Sequence, residues 1–123
     1  MKNFKQLKIW QKGFALATEA FKLVESFPKE ERFGLATQIT RAAVSIPSNI
    51  AEGSSRSSNK DYNRFLELAL GSSYELETQI LIASTINYGS EKIRMRLLQD
   101  IEEEQRMLIA FIQTIKNAIN SGH

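Results

Sequence analysis

Apolar residues recur every three or four positions along four separate segments of this 123-residue chain. That spacing places them on one side of an α-helix, which repeats every 3.6 residues. Short breaks rich in proline, glycine or serine separate the segments, and β-type alternation of useful length is absent. The pattern predicts an all-α fold. Because the connections are short, consecutive helices should pack antiparallel as an up-and-down four-helix bundle, in one domain spanning residues 1–123.

The predicted helices, numbered in chain order, span residues 4–27, 32–55, 60–87 and 91–119. Pro28 closes the first, because proline cannot donate the helical hydrogen bond. Ser58 and Ser90 are the expected N-caps of the third and fourth, and Gly89 suits a left-handed position after the third. Pro47 lies inside the second helix, which we expect to continue with a kink; a break into two helices is the alternative.

The first helix is apolar over more than half of its circumference, which is more than a corner helix of a lone bundle needs. One stripe consists of Leu7, Trp10, Phe14, Ala17, Phe21 and Val24. A second stripe, about 110° around the helix, consists of Ile9, Gly13, Leu16, Ala20, Leu23 and Phe27. We interpret the first stripe as core and the second, over residues 9–23, as a subunit interface, because exposed apolar patches mark contacts. The alternative is a helix buried more centrally in its own monomer.

Small residues are concentrated in the second and third helices, where they would let two helix backbones approach closely. They could face each other within the chain or meet a neighbouring subunit. Gly71, in the middle of the third helix, costs about 1 kcal/mol relative to alanine, and close packing would account for it.

A polar stripe runs along the second helix beside Pro47. Its members are Ser45, Ser48, Asn49 and Glu52, with Arg41 and Arg56 at its two ends. Proline leaves the carbonyl of Ala43 without its usual donor, and a serine hydroxyl or the Asn49 amide could supply one. The stripe is therefore interpreted either as support for the kink or as a ligand or partner site.

Positive charge is concentrated in the first half of the chain. Residues 1–66 hold 11 Lys and Arg against 6 Asp and Glu, a balance of +5, and residues 67–123 hold 5 against 8, a balance of −3. The candidate nucleic-acid-binding residues are Lys2, Lys5, Lys8, Lys12, Arg41, Arg56, Lys60 and Arg64. Clustered Lys and Arg suffice to bind phosphates, and no base-reading motif accompanies them, so binding would be independent of sequence. The alternative is ordinary solvated side chains.

Catalytic and metal chemistry find little support in the composition. The chain has no cysteine, and its one histidine is the last residue, His123. This excludes thiolate metal sites and the Glu-x-x-His pairs of di-iron bundles, and it leaves the serines without a histidine base. A carboxylate pair of Glu52 with Glu75 or Glu77 is the remaining catalytic alternative. We predict a non-enzyme with no metal and no cofactor.

No signal peptide or membrane-spanning segment is apparent, because charges interrupt the apolar stretches every few residues. We therefore expect a cytoplasmic location and no membrane partner.

Three stretches of the sequence carry a family resemblance. They are NFKQLKIWQK over residues 3–12, FGLATQITRAAVSIPSNIAEG over residues 33–53 and FLELALGSSYELE over residues 65–77. The chain resembles the bacterial four-helix bundle family first linked to intervening sequences in 23S rRNA genes. One departure is Thr40, where members often carry a second basic residue before Arg41.

The resemblance implies a left-handed up-and-down bundle that assembles into a ring-shaped homopentamer, with no established enzymatic activity. A related group, the accessory variability proteins of diversity-generating retroelements, binds nucleic acid and a reverse transcriptase. That relation suggests an RNA or DNA partner here, in a ribonucleoprotein context. The alternative is a homo-oligomeric scaffold that binds proteins and has no nucleic-acid role.

Overall fold

A computed structural model describes residues 3–31 and 33–122 of the chain. The described residues form four α-helices and two short 3₁₀ turns, at Phe4–Gln6 and Lys29–Glu31. The α-helices are α1 (Lys8–Glu25), α2 (Leu35–Ser54), α3 (Asn59–Thr85) and α4 (Glu91–Asn120). Each helix packs against the helices before and after it, and α1 packs against α4, so the four form a closed antiparallel bundle. The predicted all-α four-helix fold is confirmed.

The ends of the helices follow the local sequence. Ser58 accepts a hydrogen bond from the Asp61 amide at 3.1 Å, and Ser90 accepts one from the Ile93 amide at 3.3 Å, so both predicted N-caps are confirmed. The first helix is shorter than predicted, because Leu7 is extended and separates the 3₁₀ turn from α1. The predicted start of the second helix, Arg32, lies outside the described residues.

The turn between α3 and α4 requires left-handed backbone at two positions. Asn87 has φ of 58° and Gly89 has φ of 76°, which confirms the predicted conformation of Gly89. A Cβ atom on Gly89 would also lie 2.8 Å from Leu23 and from Phe27, so both backbone angle and space demand glycine there. The buried Arg94 donates to the Asn87 side-chain oxygen at 3.1 Å and fixes the turn against α4.

Helix α2 runs without interruption through Pro47, which confirms the continuous helix and rules out the break into two. The proline is buried, and the neighbouring Ile46 and Ile50 are fully buried in the core. Two of the small residues of α2, Ser45 and Gly53, contact α3, as one of the two alternatives predicted, whereas Ser48 and Ala51 line the side towards α1. A Cβ on Gly53 would lie 2.7 Å from that of Phe65, so the backbones approach closely there. Gly71 is different: it is exposed, and nothing lies within 4 Å of its Cβ position, so packing within the chain does not account for it.

The second stripe of α1 faces the core, and the first stripe is divided: Ala17 is buried, whereas Phe14 and Phe21 are about half exposed. Ile9, Gly13, Leu16, Ala20 and Leu23, predicted as the subunit interface, are all buried in the core of the monomer. They cannot form a surface between subunits, and that prediction is wrong. The physical reason is size: Gly13 and Ala20 let the neighbouring helices approach α1, whereas the bulky aromatic rings of the other stripe would hold them apart.

Candidate nucleic-acid interface and apolar groove

The antiparallel topology brings three segments to one end of the bundle. The start of α1, the turn between α2 and α3, and the last turns of α4 all lie there. We call this region the basic end and define it by Lys5, Lys8, Arg56, Lys60 and Arg64, all of which are exposed. The antiparallel topology thus places the two basic clusters of the sequence, about 50 residues apart along the chain, at the same end of the bundle.

Two arginines of the basic end, Arg56 and Arg64, contact the ring of Phe65. The guanidinium carbon of Arg56 lies 4.7 Å from the centre of the Phe65 ring, and that of Arg64 lies 4.4 Å from it. Asp61 pairs with Arg64 at 3.0 Å and with Arg56 at 3.7 Å. Glu52 pairs with Arg56 at 2.8 Å. Cation–π contacts and ion pairs therefore hold the two guanidinium groups in place, and each arginine has further N–H donors that these contacts do not use.

The lysines of the basic end are paired differently. The Lys5 ammonium lies 6.0 Å from the centre of the Phe4 ring, a cation–π contact. Among the described residues, Lys5, Lys8 and Lys60 form no ion pair. Their ammonium groups can therefore receive an incoming anion without breaking an ion pair.

Two of the predicted basic residues, Arg41 and Lys12, do not join this group, and a third, Lys2, lies outside the described residues. Arg41 is exposed in the first half of α2, about 20 Å along the helix from its end at Ser54. The Lys12 ammonium lies 3.2 Å from Asp100 and 3.2 Å from Glu103, and so clamps α1 to α4. Partial burial by itself lowers the pKa of Lys12. The hydrogen bonds and the charges of Asp100 and Glu103 outweigh it, so the pKa of Lys12 lies above its ordinary value.

The polar stripe beside Pro47 divides into two parts. The Asn49 amide donates to the carbonyl and the hydroxyl of Ser45, at 2.8 and 2.9 Å, rather than to the carbonyl of Ala43. The Ser45 hydroxyl in turn lies 2.8 Å from that of Ser72, which ties α2 to α3. These half-buried groups satisfy one another, and none of these hydrogen bonds reaches the Ala43 carbonyl that the structural interpretation assigned to them. Ser48 lies on the side facing α1, and Glu52 belongs to the basic end.

The alternative of a catalytic carboxylate pair is wrong. Ser45 of α2 lies opposite Ser72 of α3. Because the two helices run in opposite directions, Glu52 lies on one side of this serine pair and Glu75 on the other, about 15 Å apart along the bundle axis. Glu52 is paired with Arg56, and Glu77 accepts a hydrogen bond from Gln105 at 2.9 Å.

An apolar groove lies between α1 and α2. It has a volume of about 380 Å³ and is lined mainly by Trp10, Phe14, Phe21, Val44, Pro47 and Ala51. Phe14 is 52% exposed and Phe21 is 49% exposed. The rings of Phe4, Trp10 and Phe14 form a row with successive centres 5.2 Å apart. This groove is the surplus apolar surface that the sequence indicates, and it lies on the stripe predicted as core.

A second exposed surface lies between α3 and α4. Its side chains are apolar and charged, with both signs of charge present: Leu81, Met95 and Leu98, the carboxylates of Glu77 and Glu102, and the cations of Lys92 and Arg96. Leu81 is 50% exposed and Met95 is 60% exposed, so this face also presents apolar area.

Glu104 is the residue that sequence reasoning missed. Three consecutive acids, Glu102, Glu103 and Glu104, are expected on a solvated face, with Glu104 at most leaning inward. Glu104 is instead fully buried. The signal was its spacing, because it occupies the core position between Ile101 and Leu108. Burial raises the pKa of its carboxyl to about 8, and the charge of Lys12 lowers it in part.

Metal binding and membrane insertion find no support in the described residues. No group of three His, Cys, Asp or Glu side chains among them is arranged to hold a metal ion. None of the four described helices combines the length and apolar character needed to cross a bilayer.

Over residues 3–31 and 33–122, the fold and its surfaces define a small antiparallel four-helix bundle with a basic end and an exposed aromatic groove. Residues 5–110 match the family model described as 23S rRNA-intervening sequence protein. The chain belongs to this family.

A solved structure supports the fold. The crystal structure of a protein with unknown function from the S23 ribosomal protein family of Bacteroides thetaiotaomicron is similar, with a TM-score of 0.76 and 23% sequence identity. The match covers 85% of this chain and 97% of that one. No curated protein matches this sequence.

Proposed function

We propose that this protein is a non-enzymatic, homo-oligomeric binding protein whose basic end contacts the phosphate backbone of RNA or DNA without reading base sequence. The observation that carries the proposal is the convergence of Lys5, Lys8, Arg56, Lys60 and Arg64 at one end of the bundle. Such a cluster supplies the charge that phosphate binding needs. Membership of a family named for intervening sequences in 23S rRNA is consistent with a nucleic-acid partner.

The carboxylates of the basic end limit how tightly one copy of the protein can bind a phosphate backbone. Glu52 and Asp61 offset the charges of the two arginines, which leaves the three lysines as the net positive charge. One copy would therefore bind weakly. Several copies that present this end to the same strand would gain affinity by multivalency, because each later contact is intramolecular.

The groove between α1 and α2 provides a surface through which copies can associate. Contiguous exposed aromatic surface of this kind marks a protein contact. The α3–α4 face of a second copy offers the exposed apolar side chains of Leu81 and Met95 to this groove, so the two faces complement each other in apolarity. Such a contact between unlike faces closes into a ring if the rotation between copies allows. Five copies is the number that the family resemblance implies.

The test is a titration against labelled structured RNA and duplex DNA at two salt concentrations. We expect binding that weakens steeply with salt and differs little between sequences. The variant Lys8→Gln/Lys60→Gln should bind more weakly and with a shallower salt dependence. The matched control Lys29→Gln/Lys92→Gln removes the same charge at the opposite end of the bundle, and it should bind like the native chain. Absence of binding at low salt, or equal weakening in both variants, would refute the proposal.

The second candidate is a homo-oligomeric scaffold that binds protein partners and no nucleic acid. The aromatic groove favours it, because one apolar surface can serve an assembly without any basic end. Affinity capture from cell extract with and without nuclease distinguishes the two. Partners that persist after nuclease treatment support the scaffold, and partners that vanish support nucleic-acid binding.

A further inference from the structure

Glu104 of α4 is fully buried, and among the described residues neither of its carboxyl oxygens has a hydrogen-bond partner. An ionised carboxylate in such a place lacks the hydrogen bonds or the cation that would compensate for the hydration it gives up. A neutral carboxylic acid avoids most of that cost, and it also gains one O–H donor.

The carboxyl lies where three helices meet. A Cβ atom on Gly13 of α1 would be 3.1 Å from the Oε2 atom of Glu104, and it would be 3.2 Å from Cγ2 of Ile46 and 3.4 Å from the nitrogen of Pro47. The absent side chain of Gly13 thus leaves room for the acid next to the proline of α2. At that position α2 lacks an amide donor, since proline has none.

The charged groups around Glu104 leave it without a free cation. On α1, Lys12 is bound to Asp100 and Glu103 of α4, each at 3.2 Å. From α2, the adjacent Ile46 and Pro47 are uncharged.

From α3, an acidic side chain contacts α4 one residue beyond Glu104. Glu77 accepts a hydrogen bond from Gln105 at 2.9 Å. The charged group that acts on Glu104 is therefore one lysine, which is already shared between two carboxylates.

We propose that Glu104 is a proton-controlled switch in the core of the bundle. As a neutral acid it packs beside Gly13 and Pro47. When it releases its proton to solvent, the new carboxylate competes with Asp100 and Glu103 for the Lys12 ammonium and changes the contact between α1 and α4. The switch is independent of the nucleic-acid binding proposed above.

The direction of the pH effect follows from proton linkage. The folded chain keeps its Glu104 proton up to about pH 8, whereas the unfolded chain releases it near pH 4.5. Between these values the folded state holds one more proton, so the unfolding constant rises with pH by up to about tenfold per unit. The stabilisation that the neutral Glu104 gives the fold is complete below pH 4.5 and is lost as the pH rises to about 8. Above pH 8 the unfolding constant no longer depends on the titration of Glu104.

Denaturant unfolding of the native chain and of Glu104→Gln, at one protomer concentration over a pH range from about 5 to about 9, tests the switch. The quantity compared is the unfolding constant of the native chain divided by that of Glu104→Gln. The contributions of the other titrating groups cancel in this ratio. We expect this ratio to rise steeply up to about pH 8 and then level off. The control Glu102→Gln alters an exposed carboxylate paired with Arg106 at 2.8 Å, and its ratio to the native chain should stay flat over the same range. A flat ratio for Glu104→Gln would overturn the proposal.

A second measurement covers the case in which Glu104→Gln does not fold. Carbon-13 NMR of the folded native chain should show one glutamate carboxyl that titrates well above the ordinary range of about 4 to 5. In Lys12→Gln the midpoint should move to higher pH, because a cation that favours the carboxylate is gone. The switch is wrong if every glutamate titrates in the ordinary range, and its coupling to Lys12 is wrong if the midpoint does not move.

Discussion

Gly13 of α1 and Glu104 of α4 share one small space in the core, because a Cβ on residue 13 would lie 3.1 Å from the Oε2 atom of Glu104. The same Cβ would lie 3.2 Å from Cγ2 of the fully buried Ile46, which is tighter than ordinary contact, and 3.4 Å from the backbone nitrogen of Pro47. The glycine therefore sets how closely α1, α2 and α4 approach one another. The acid and the proline are found together because residue 13 has no side chain.

Gly13→Ala should accordingly destabilise the fold. Alanine gains about 1 kcal/mol of helix propensity over glycine, but overpacking in a close-packed core costs about 1–3 kcal/mol. We expect the free energy of unfolding, measured by denaturant titration, to fall by a net amount on the order of 1 kcal/mol.

Gly71→Ala is the matched control for that substitution. It makes the same change in the middle of α3, where nothing lies within 4 Å of the added Cβ. With no packing penalty, it should stabilise the chain by about 0.5–1 kcal/mol. If Gly13→Ala proved as stable as Gly71→Ala, the close approach at Gly13 would be wrong.

The two stripes of α1 predict opposite effects for two neighbouring substitutions. Leu16 is 2% exposed, so Leu16→Ala should cost about 2–5 kcal/mol of stability. Phe14 is 52% exposed in the groove, so Phe14→Glu should leave the monomer folded and weaken assembly.

Light scattering and circular dichroism of each variant separate these two effects. Gln113→Glu places the same charge on an exposed position of α4 outside the groove, and it should leave both assembly and fold unchanged. Should Phe14→Glu assemble like the native chain, the groove would not be the subunit contact.

The sequence could predict that α1 has two apolar stripes but not which one faces inward. Both have the same spacing and similar hydrophobicity. What decides between them is the shape of the partners: Ile46 and the Glu104 carboxyl fill the space above Gly13, and no property of α1 alone describes that. Glu104 was predictable in principle, because its spacing within α4 points inward, but its charge favoured a surface position.

The basic end shows a similar division. The individual cations and the antiparallel topology were predictable from local patterns. The stacking of Arg56 and Arg64 on Phe65 depends on the register between the end of α2 and the start of α3. Close packing at Gly53 fixes that register, and the periodicity of either helix alone does not contain it.

The hydroxyl pair between Ser45 and Ser72 should contribute to stability as a unit. Their oxygens are 2.8 Å apart, in partly buried positions. Ser45→Ala and Ser72→Ala should each cost about 1 kcal/mol. In a double-mutant cycle the two costs should be less than additive, with a coupling of about 0.5–1.5 kcal/mol.

Ser48→Ala, on the α1-facing side of the same helix, is the control for that cycle. It should change stability by less than about 0.5 kcal/mol. Additive costs for Ser45→Ala and Ser72→Ala would show that the two hydroxyls do not interact.

Lys8 and Lys12 lie one turn apart on α1, and they should differ in their effect on nucleic-acid binding. Lys8 is exposed and has no ion pair among the described residues, whereas the Lys12 ammonium is bound by Asp100 and Glu103. If Lys8 binds a phosphate, Lys8→Gln should reduce the slope of log affinity against log salt by roughly 0.7–0.9 for each phosphate that is no longer neutralised. Lys12→Gln removes the same charge without affecting a bound phosphate, so its slope should equal that of the native chain.

Fluorescence anisotropy with labelled RNA between about 50 and about 200 mM salt measures both slopes. Equal reductions in the two variants would mean that Lys12 leaves its carboxylates to bind the nucleic acid, and the separation of the basic end from the α1–α4 clamp would then be wrong.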